Sequence, residues 1–557
     1  MPHIVAAIPP AKPGRVKHQP TAARRRGAGK PLALGYESGL TVDPLAPSLR
    51  EAAISTEVEI KLAARAADLP ALRRALKGMV GGDRTAKRKL VSTYYDTKDR
   101  ALARRGCVLR VRKRDGLFIQ TVKSAGAAGD SPLARGEWED PVAGERPDPK
   151  AGASGQFLTP EIAGRLAPLF RTEITRLTAE LEPSPGTRIE AAIDRGAIRA
   201  RASKEPIREI ELELKSGSVT SLYDAALQLL AVAPVRLDPR SKAERGYRLV
   251  GGRGMGQLIR GEPVLLEPTM TAEAALQRIG RATLSHILRY QAAALAGRPE
   301  GAHQMRVGAR RLRAALSAFR RILPKDQRNW AQNELGRLAD TLSEARNLDV
   351  FADGLIASAR PGVPEAKRLD APVRRRRRLA HAAVRERIGS PQFTALMLEL
   401  LRWFDGCGWR QDNAKFHRLQ LPIGEVASEM LDRRLRAVAE AAEGFERQSP
   451  VQRHRLRIAV KKLRYTAELL GGVYDDGAVR AFTEPLRRLQ DDLGHANDVH
   501  VGHQIVAALV SEAKSAGKLA DAGHRVLEWH HRHLIKREPK TAKHLERLLS
   551  ASPFWRG

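Results

Sequence analysis

A chain of 557 residues is longer than one ordinary hydrophobic core can serve, so two or three domains are expected. With 42% hydrophobic and 29% charged residues it suits soluble domains, and its 4% aromatic content argues against base stacking on nucleic acid. The net charge of +34, from 97 Lys plus Arg against 63 Asp plus Glu, calls for a polyanion: nucleic acid, an anionic membrane or condensed phosphate. No apolar run approaches the roughly 20 residues that span a bilayer. Cys107 and Cys407 have no metal-ligand spacing and suggest no disulfide framework, which fits a reducing cytoplasm.

Residues 1–52 read as a flexible basic tail, with Arg24, Arg25 and Arg26 set among Pro, Ala and Gly. From there to residue 250 the pattern has period two. "STEVEIKLAA" (55–64) alternates Glu57, Glu59 and Lys61 with Val58, Ile60 and Leu62, the mark of a strand with two unlike faces. "VLRVRKR" (108–114) aligns Arg110, Arg112 and Arg114, and "FIQTVKS" (118–124) aligns Thr121 with Lys123. "TEITRLTAEL" carries Arg176, "RIEAAID" carries Glu190 and Asp194, and "REIELELKSG" carries Glu209, Glu211, Glu213 and Lys215. Short strands joined by turns predict an antiparallel sheet or barrel over 53–250. On periodicity alone a solvated charged face is the ordinary reading. An inward-facing one would instead make a tunnel able to hold a metal ion and a multiply charged anion.

"GGRGMGQLIRGEPV" lies in a Gly-rich linker, 251–267. Beyond it, Ala, Leu and Arg recur with helical period over 268–545, ahead of a short tail at 546–557. This half repeats itself. "HQMRVGARRLRAAL" (303–316) matches "HRLRIAVKKLRYTA" (454–467), an offset of 151 residues from His303 to His454. The same offset lays "LADTLSEARNLDV" (338–350) on "LQDDLGHANDVHV" (489–501). His303, Arg306, Arg310 and Arg313, with Arg311 adjacent, flank an apolar stripe; His454, Arg457, Lys461, Lys462 and Arg464 repeat the arrangement. Like charges three and four residues apart repel on a helix. Two copies of one self-repelling row predict an anion-binding surface, and "RRRRR" (374–378) would widen it.

The motifs of the first half resemble the CYTH domain, the triphosphate-tunnel fold shared by class IV adenylate cyclases, thiamine triphosphatases and inorganic triphosphatases. They are Glu57-Val58-Glu59-Ile60-Lys61 as the ExExK strand, then "YYDT", "LRVRK", "QTVK", "RGEWE", "AAIDRG", "ELELK" and "SKAERGY" in order. The second half resembles the CHAD domain, a duplicated helical domain associated with inorganic polyphosphate. The resemblance implies an α+β multidomain chain: an antiparallel β-barrel forming a triphosphate tunnel, then an all-α duplicated helical bundle.

It also implies roles. Charged rows would line the tunnel, with Glu57, Glu59, Glu211, Glu213 and Asp194 as ligands for Mg²⁺ or Mn²⁺, ions that favour hard oxygen donors. Lys61, Arg110, Arg112, Lys123 and Arg176, with Lys242 and Arg245, would clamp phosphate, and Glu137 and Glu139 would sit on the wall. The implied activity is hydrolysis of inorganic triphosphate, with Glu57, Glu59 and Lys61 as its catalytic residues. Polyphosphate would bind the helical rows, with no specific nucleic acid partner. The expected location is cytoplasmic, with polyphosphate granules as a place of association. An adenylate cyclase, a thiamine triphosphatase and a non-catalytic polyphosphate-granule protein are the alternatives. Two departures from the pattern stand out. The strand after Arg176 lacks the expected aromatic and second basic residue, and Glu209, Glu211 and Glu213 form a triple that leaves a two-residue ambiguity in the ligand pair.

Overall fold

The structure is a computed structural model and describes residues 57–79, 85–124, 134–251, 264–411, 413–513 and 516–556. The expected basic tail and residues 252–263 of the expected linker lie outside the described residues, as does the side chain of Glu57.

The alternating segments form nine strands: β1 (Glu57–Ala63), β2 (Thr85–Asp96), β3 (Cys107–Arg114), β4 (Leu117–Ser124), β5 (Ala134–Val142), β6 (Ala167–Ser184), β7 (Thr187–Ala200), β8 (Ser203–Ser216) and β9 (Arg236–Leu237). Their order is β5-β4-β3-β2-β6-β7-β8-β1-β9, and among the described residues every pairing is antiparallel. Asp115 and Gly116 turn β3 into β4 with φ of 51° and 85°, the left-handed pair that a two-residue hairpin of matching twist requires.

The expected barrel needs one correction. Among the described residues β1 meets β5 at two residue pairs, Glu57 opposite Arg135 and Val58 opposite Ala134. The other end of that β1 edge is taken by β9, with Leu62 opposite Leu237. One edge offers one row of backbone donors and acceptors, so β9 excludes β5 there. Among the described residues the sheet is therefore joined at one rim and is not closed along its height.

Two helices decide which way β1 faces. Helix α1 (Leu69–Met79) and helix α2 (Val219–Val232) cover the outer side of the sheet. Their Leu72, Leu76, Leu222 and Leu229 share a core with Ile60 and Leu62 of β1 and with Ile189, Ile210 and Leu212, all essentially buried. Each such aliphatic side chain contributes about 1.5–3 kcal/mol of burial. A one-residue slip of β1 would put Glu59 and Lys61 against the helices. The apolar row goes outward because something covers it, and the charged row is left to face inward.

Helix α3 (Lys242–Leu249) is capped by Ser241 and Glu244 in a reciprocal box. The helical half follows with α4 (Ala272–Leu295), α5 (Pro299–Ala318), α6 (Lys325–Val350), α7 (Asp370–Gly389), α8 (Pro391–Asp405), α9 (Ile423–Ala442), α10 (Pro450–Leu470), α11 (Asp476–Ser511) and α12 (Ala516–Ser550). The 151-residue repeat is visible in the helix starts: Ala272 and Ile423, Pro299 and Pro450, Lys325 and Asp476. It thus begins one helix earlier than the two sequence blocks reveal. A bridge between Thr271 and Pro422 carries hydrogen bonds from Ala272 N to Leu421 O (2.9 Å) and from Ile423 N to Met270 O (2.8 Å). These are equivalent bonds in opposite directions, so the two copies are related by a local pseudo-two-fold axis.

α2 of the sheet domain packs on α8, where Tyr223 bonds to Asp405 and Arg402 Nε lies 2.8 Å from Asp224. The expected tail after residue 545 is partly helix. Beyond the helix, Trp555 is buried against Phe482 and donates to Asp432 at 2.7 Å. Among the described residues no helix is long and apolar enough to cross a membrane.

Candidate functional site

The inward rows enclose a cavity of about 530 Å³. Glu59 and Lys61 enter it from β1, Arg110, Arg112 and Arg114 from β3, Thr121 and Lys123 from β4, Glu137 and Glu139 from β5, Arg176 from β6, and Glu211, Glu213 and Lys215 from β8. Strand register segregates the charges. β1 and β8 place Glu59 opposite Glu213 and Lys61 opposite Glu211. On the other side, Lys123 lies opposite Glu137 and Thr121 opposite Glu139. Arg114, Lys215, Tyr94 and Ser241 join the lining beyond the residues assigned from the sequence, although the period-two pattern had already put Arg114 on the face of Arg110.

The cations on the β3–β4 wall are held by neighbours. Arg110 Nη2 lies 3.2 Å from Glu137 and 3.4 Å from Glu139, Lys123 Nζ lies 3.0 Å from Glu137, and Arg112 Nε donates to Ser92 at 3.0 Å. Burial, reinforced by Arg110, lowers the Arg112 guanidinium to about 10. An anion between these groups would relieve both effects.

A denser network forms the cavity floor, where Arg176, Glu211 and Lys242 reach the lining. Arg176 donates to both oxygens of the fully buried Asp194 at 2.8 and 2.7 Å, and also reaches Glu211. Burial opposes the charged Arg176, but Glu211 and Asp194 reverse that and carry its pKa upward. The Lys242 ammonium sits 2.7 Å from Asp194, 2.5 Å from Glu209 and 2.8 Å from Glu211. Those three carboxylates are close enough to hold a metal ion, yet Lys242 already supplies their cation. Burial disfavours a charged Glu211, while Lys242, Arg176 and Lys61 outweigh it and hold the carboxyl well below its usual range.

These contacts sort the residues named from the sequence. Glu59, Glu211 and Glu213 present carboxylates to the cavity, and their hard oxygens fit a divalent cation. Glu209 lies beneath them, so of the acidic triple it is Glu211 and Glu213 that face the cavity. Asp194 is brought to Arg176 and Lys242 rather than to the open space. Arg245 is buried outside the lining, 2.8 Å from both Glu205 and Glu209. The motif resemblance placed Asp194 and Arg245 at the site but could not tell a wall from the layer supporting it.

A second basic cavity, of about 550 Å³, lies where α5 and α6 of one copy meet α10 of the other. Arg306, Arg310, Arg313, Lys461 and Lys462 line it, together with Arg320, Arg328 and Tyr465, which the sequence rows did not single out. His303, Arg311, His454, Arg457 and Arg464 flank it without lining it. Arg310 and Arg464 stack on Tyr465 at 5.0 and 4.8 Å from the ring centre. Arg306 donates to Ser343 at 2.8 Å. Among the described residues Arg306, Arg310 and Lys461 have no acidic ion-pair partner, and the Nε atoms of Arg310 and Arg457 are buried without a hydrogen bond. Burial, then Arg457, Arg310 and Arg306, bring the Lys461 ammonium down to about 7. Arg306 is lowered to about 10 by burial and by Arg310. Burial, then Arg346 beside His303 and Arg457 beside His454, lowers both imidazoles.

Comparison with known proteins matches the two halves separately. The CYTH domain model matches residues 55–247 and the CHAD domain model matches 278–507. An inorganic triphosphatase of Haemophilus influenzae is 34% identical over 161 residues, covering 29% of this chain and 46% of that protein; the chain thus spans about half the length of the curated relative it matches. The crystal structure of the CHAD domain from Ricinus communis is 25% identical over 53% of this chain and 97% of that one, with a TM-score of 0.46. PptA from Streptomyces chartreusis is 18% identical over 50% and 99%, with a TM-score of 0.34. The chain thus carries a CYTH domain at residues 55–247 followed by a CHAD domain at residues 278–507.

Proposed function

We propose that the sheet domain is a divalent-metal-dependent inorganic triphosphatase, cleaving tripolyphosphate with water to pyrophosphate and phosphate. In the same reading, the helical groove binds inorganic polyphosphate. The observation that carries the first part is one cavity with carboxylates on β1 and β8 and cations on β3 and β4. The similarity to an inorganic triphosphatase supports it.

Lys61, Arg110, Arg112 and Lys123 would take the phosphate oxygens and hold the chain extended. Their fixed charge would then be in place as negative charge shifts to the leaving phosphate. Arg176 is aimed by its two bonds to Asp194, so Asp194 acts as a positioning residue for that guanidinium. Glu59, Glu211 and Glu213 would hold Mg²⁺ or Mn²⁺, which when bound neutralises phosphate charge and promotes attack by water. The self-repelling groove supports polyphosphate because a flexible, dense polyanion can reach several half-buried cations at once.

Incubating the full chain with tripolyphosphate, ATP, thiamine triphosphate and long polyphosphate, with and without Mg²⁺ or Mn²⁺, tests the reading. Metal-dependent phosphate release, fastest from tripolyphosphate, is expected. Cyclic AMP from ATP would replace it with a cyclase, and preference for thiamine triphosphate would narrow it. Absence of all turnover would leave a binding protein. Polyphosphate is expected to outcompete duplex DNA of equal charge at moderate salt.

A further inference from the structure

A third cavity, of about 510 Å³, adjoins the groove and shares Arg320, Ile458 and Lys462 with it. Its cations come from three places: Arg320 and Arg321 just after α5, Arg433, Arg434 and Arg436 on α9, and Arg455 and Lys462 on α10. Among the described residues none of the seven forms an ion pair with an acid, and Glu440 is the only carboxylate on the lining.

Arg434 is the informative member. It is 5% exposed, donates from Nη2 to Ser317 Oγ at 2.8 Å, and leaves its buried Nε without a partner. Arg433 donates to the Ala318 carbonyl at 3.2 Å and also leaves a buried Nε unpaired. A buried guanidinium lacking a carboxylate is unfavourable unless something else supplies the charge. Burial, then Arg320 and Arg433, lowers Arg434 to about 10, and burial with Arg434 and Arg320 lowers Lys462 as well.

The pseudo-two-fold axis supplies the second argument. Moving by the 151-residue offset takes Arg433, Arg434 and Arg455 to Ala282, Thr283 and Gln304, and takes Arg320 and Arg321 to Gly471 and Gly472. Only Lys462 keeps a cation at its equivalent, Arg311. The groove rows are duplicated; this cluster occurs on one side alone. Packing common to both copies does not need it.

We propose that this pocket is a second anion subsite, taking the onward phosphoryl groups of a condensed-phosphate chain that already lies in the groove. The groove then has one extended end, and binding strengthens with chain length until the pocket is filled. The proposal rests on the reading of the groove as a polyphosphate site.

The test is binding of a long polyphosphate fraction to the full chain across a salt series. The Arg433→Gln/Arg434→Gln variant is compared with Arg321→Gln/Arg455→Gln, which alters exposed side chains and leaves packing alone. Either variant is expected to lose roughly tenfold in affinity, the scale of one or two charged hydrogen bonds. Each should also show a shallower salt dependence while tripolyphosphate turnover stays unchanged. Unaltered affinity and salt slope in both, with Arg310→Gln/Arg457→Gln still weakening binding, would overturn the subsite and leave the groove standing. If the unmodified chain binds no polyphosphate, the groove reading falls and the subsite with it.

Discussion

In the tunnel, cations have carboxylates at hand: Arg110 beside Glu137 and Glu139, Lys123 beside Glu137, Arg176 on Asp194, and Lys242 within three acids. In the groove, Arg306, Arg310 and Lys461 have chiefly one another, an aromatic ring and a serine. The difference follows from architecture. Six strands around one space bring acidic and basic rows face to face, and their opposite charges fix each other's geometry before a ligand arrives. A repeated helix brings like rows together; Arg311 and Arg464 reach Glu468, but among the described residues Arg306, Arg310 and Lys461 form no ion pair that relieves the repulsion. A site arranged in the first way is preorganised for a particular short anion with its metal. One arranged in the second way suits any long, dense polyanion and will depend strongly on salt.

The largest effect that would break this comparison concerns Lys242. Lys242→Met removes the cation that Asp194, Glu209 and Glu211 share, leaving Arg176 and Arg245 at their edges, and a loss of about 3–5 kcal/mol is expected for a broken buried ion cluster. Thermal unfolding should show a large fall in Tm. Added Mg²⁺ or Mn²⁺ should restore part of it, because the emptied cluster can then take a metal. An unchanged Tm would mean the tunnel floor is not held by charge pairing.

Next come the walls. Glu59→Gln or Lys61→Ala should cut tripolyphosphate turnover by about 100-fold or more, the scale for removing one preorganised group from a charge-stabilising site. Glu57→Ala is expected to do the same, and phosphate release at saturating metal measures all three. Polyphosphate binding should be untouched. In reverse, Arg310→Glu with Arg457→Glu should weaken polyphosphate binding by roughly 100-fold, from two lost charge-assisted contacts, while turnover persists. Loss of both activities in either set would show that the two sites are not independent.

The smallest effect is in pH. Lys461 ordinarily titrates near 10.5, as it would in the unfolded chain, but in the groove it titrates near 7. Between those values the unfolded state binds the extra proton, so this residue's contribution to stability rises with pH across that window. A bound polyanion favours the charged form and opposes the shift. Polyphosphate affinity should therefore fall as pH rises above 7, by at most about tenfold per unit from this group. Lys461→Arg should flatten the profile between pH 7 and 9, as isothermal titration would record.

Much of this was legible in the chain. Alternation at Glu57, Glu59 and Lys61 specified a two-faced strand, and the 151-residue offset specified a duplicated helical domain. The extra helix in each repeat escaped notice because α4 and α9 share packing positions rather than a recognisable charged row. Arg433 and Arg434 escaped for the opposite reason: they have no counterpart in the other copy, so no repetition marks them.

What the sequence determined by itself was periodicity, charge and repetition, because these depend only on the order of residues along one element. Facing and layering were decided by tertiary structure. The charged row of β1 turns inward because α1 and α2 cover its apolar side. Asp194 and Arg245 drop out of the wall because strand register and α3 bury them in a supporting layer. Lys242 answers three carboxylates because a helix after the last long strand carries it back to the cavity floor. Each of these outcomes depends on which residues far apart in the chain come within a few ångströms, and no local pattern encodes that.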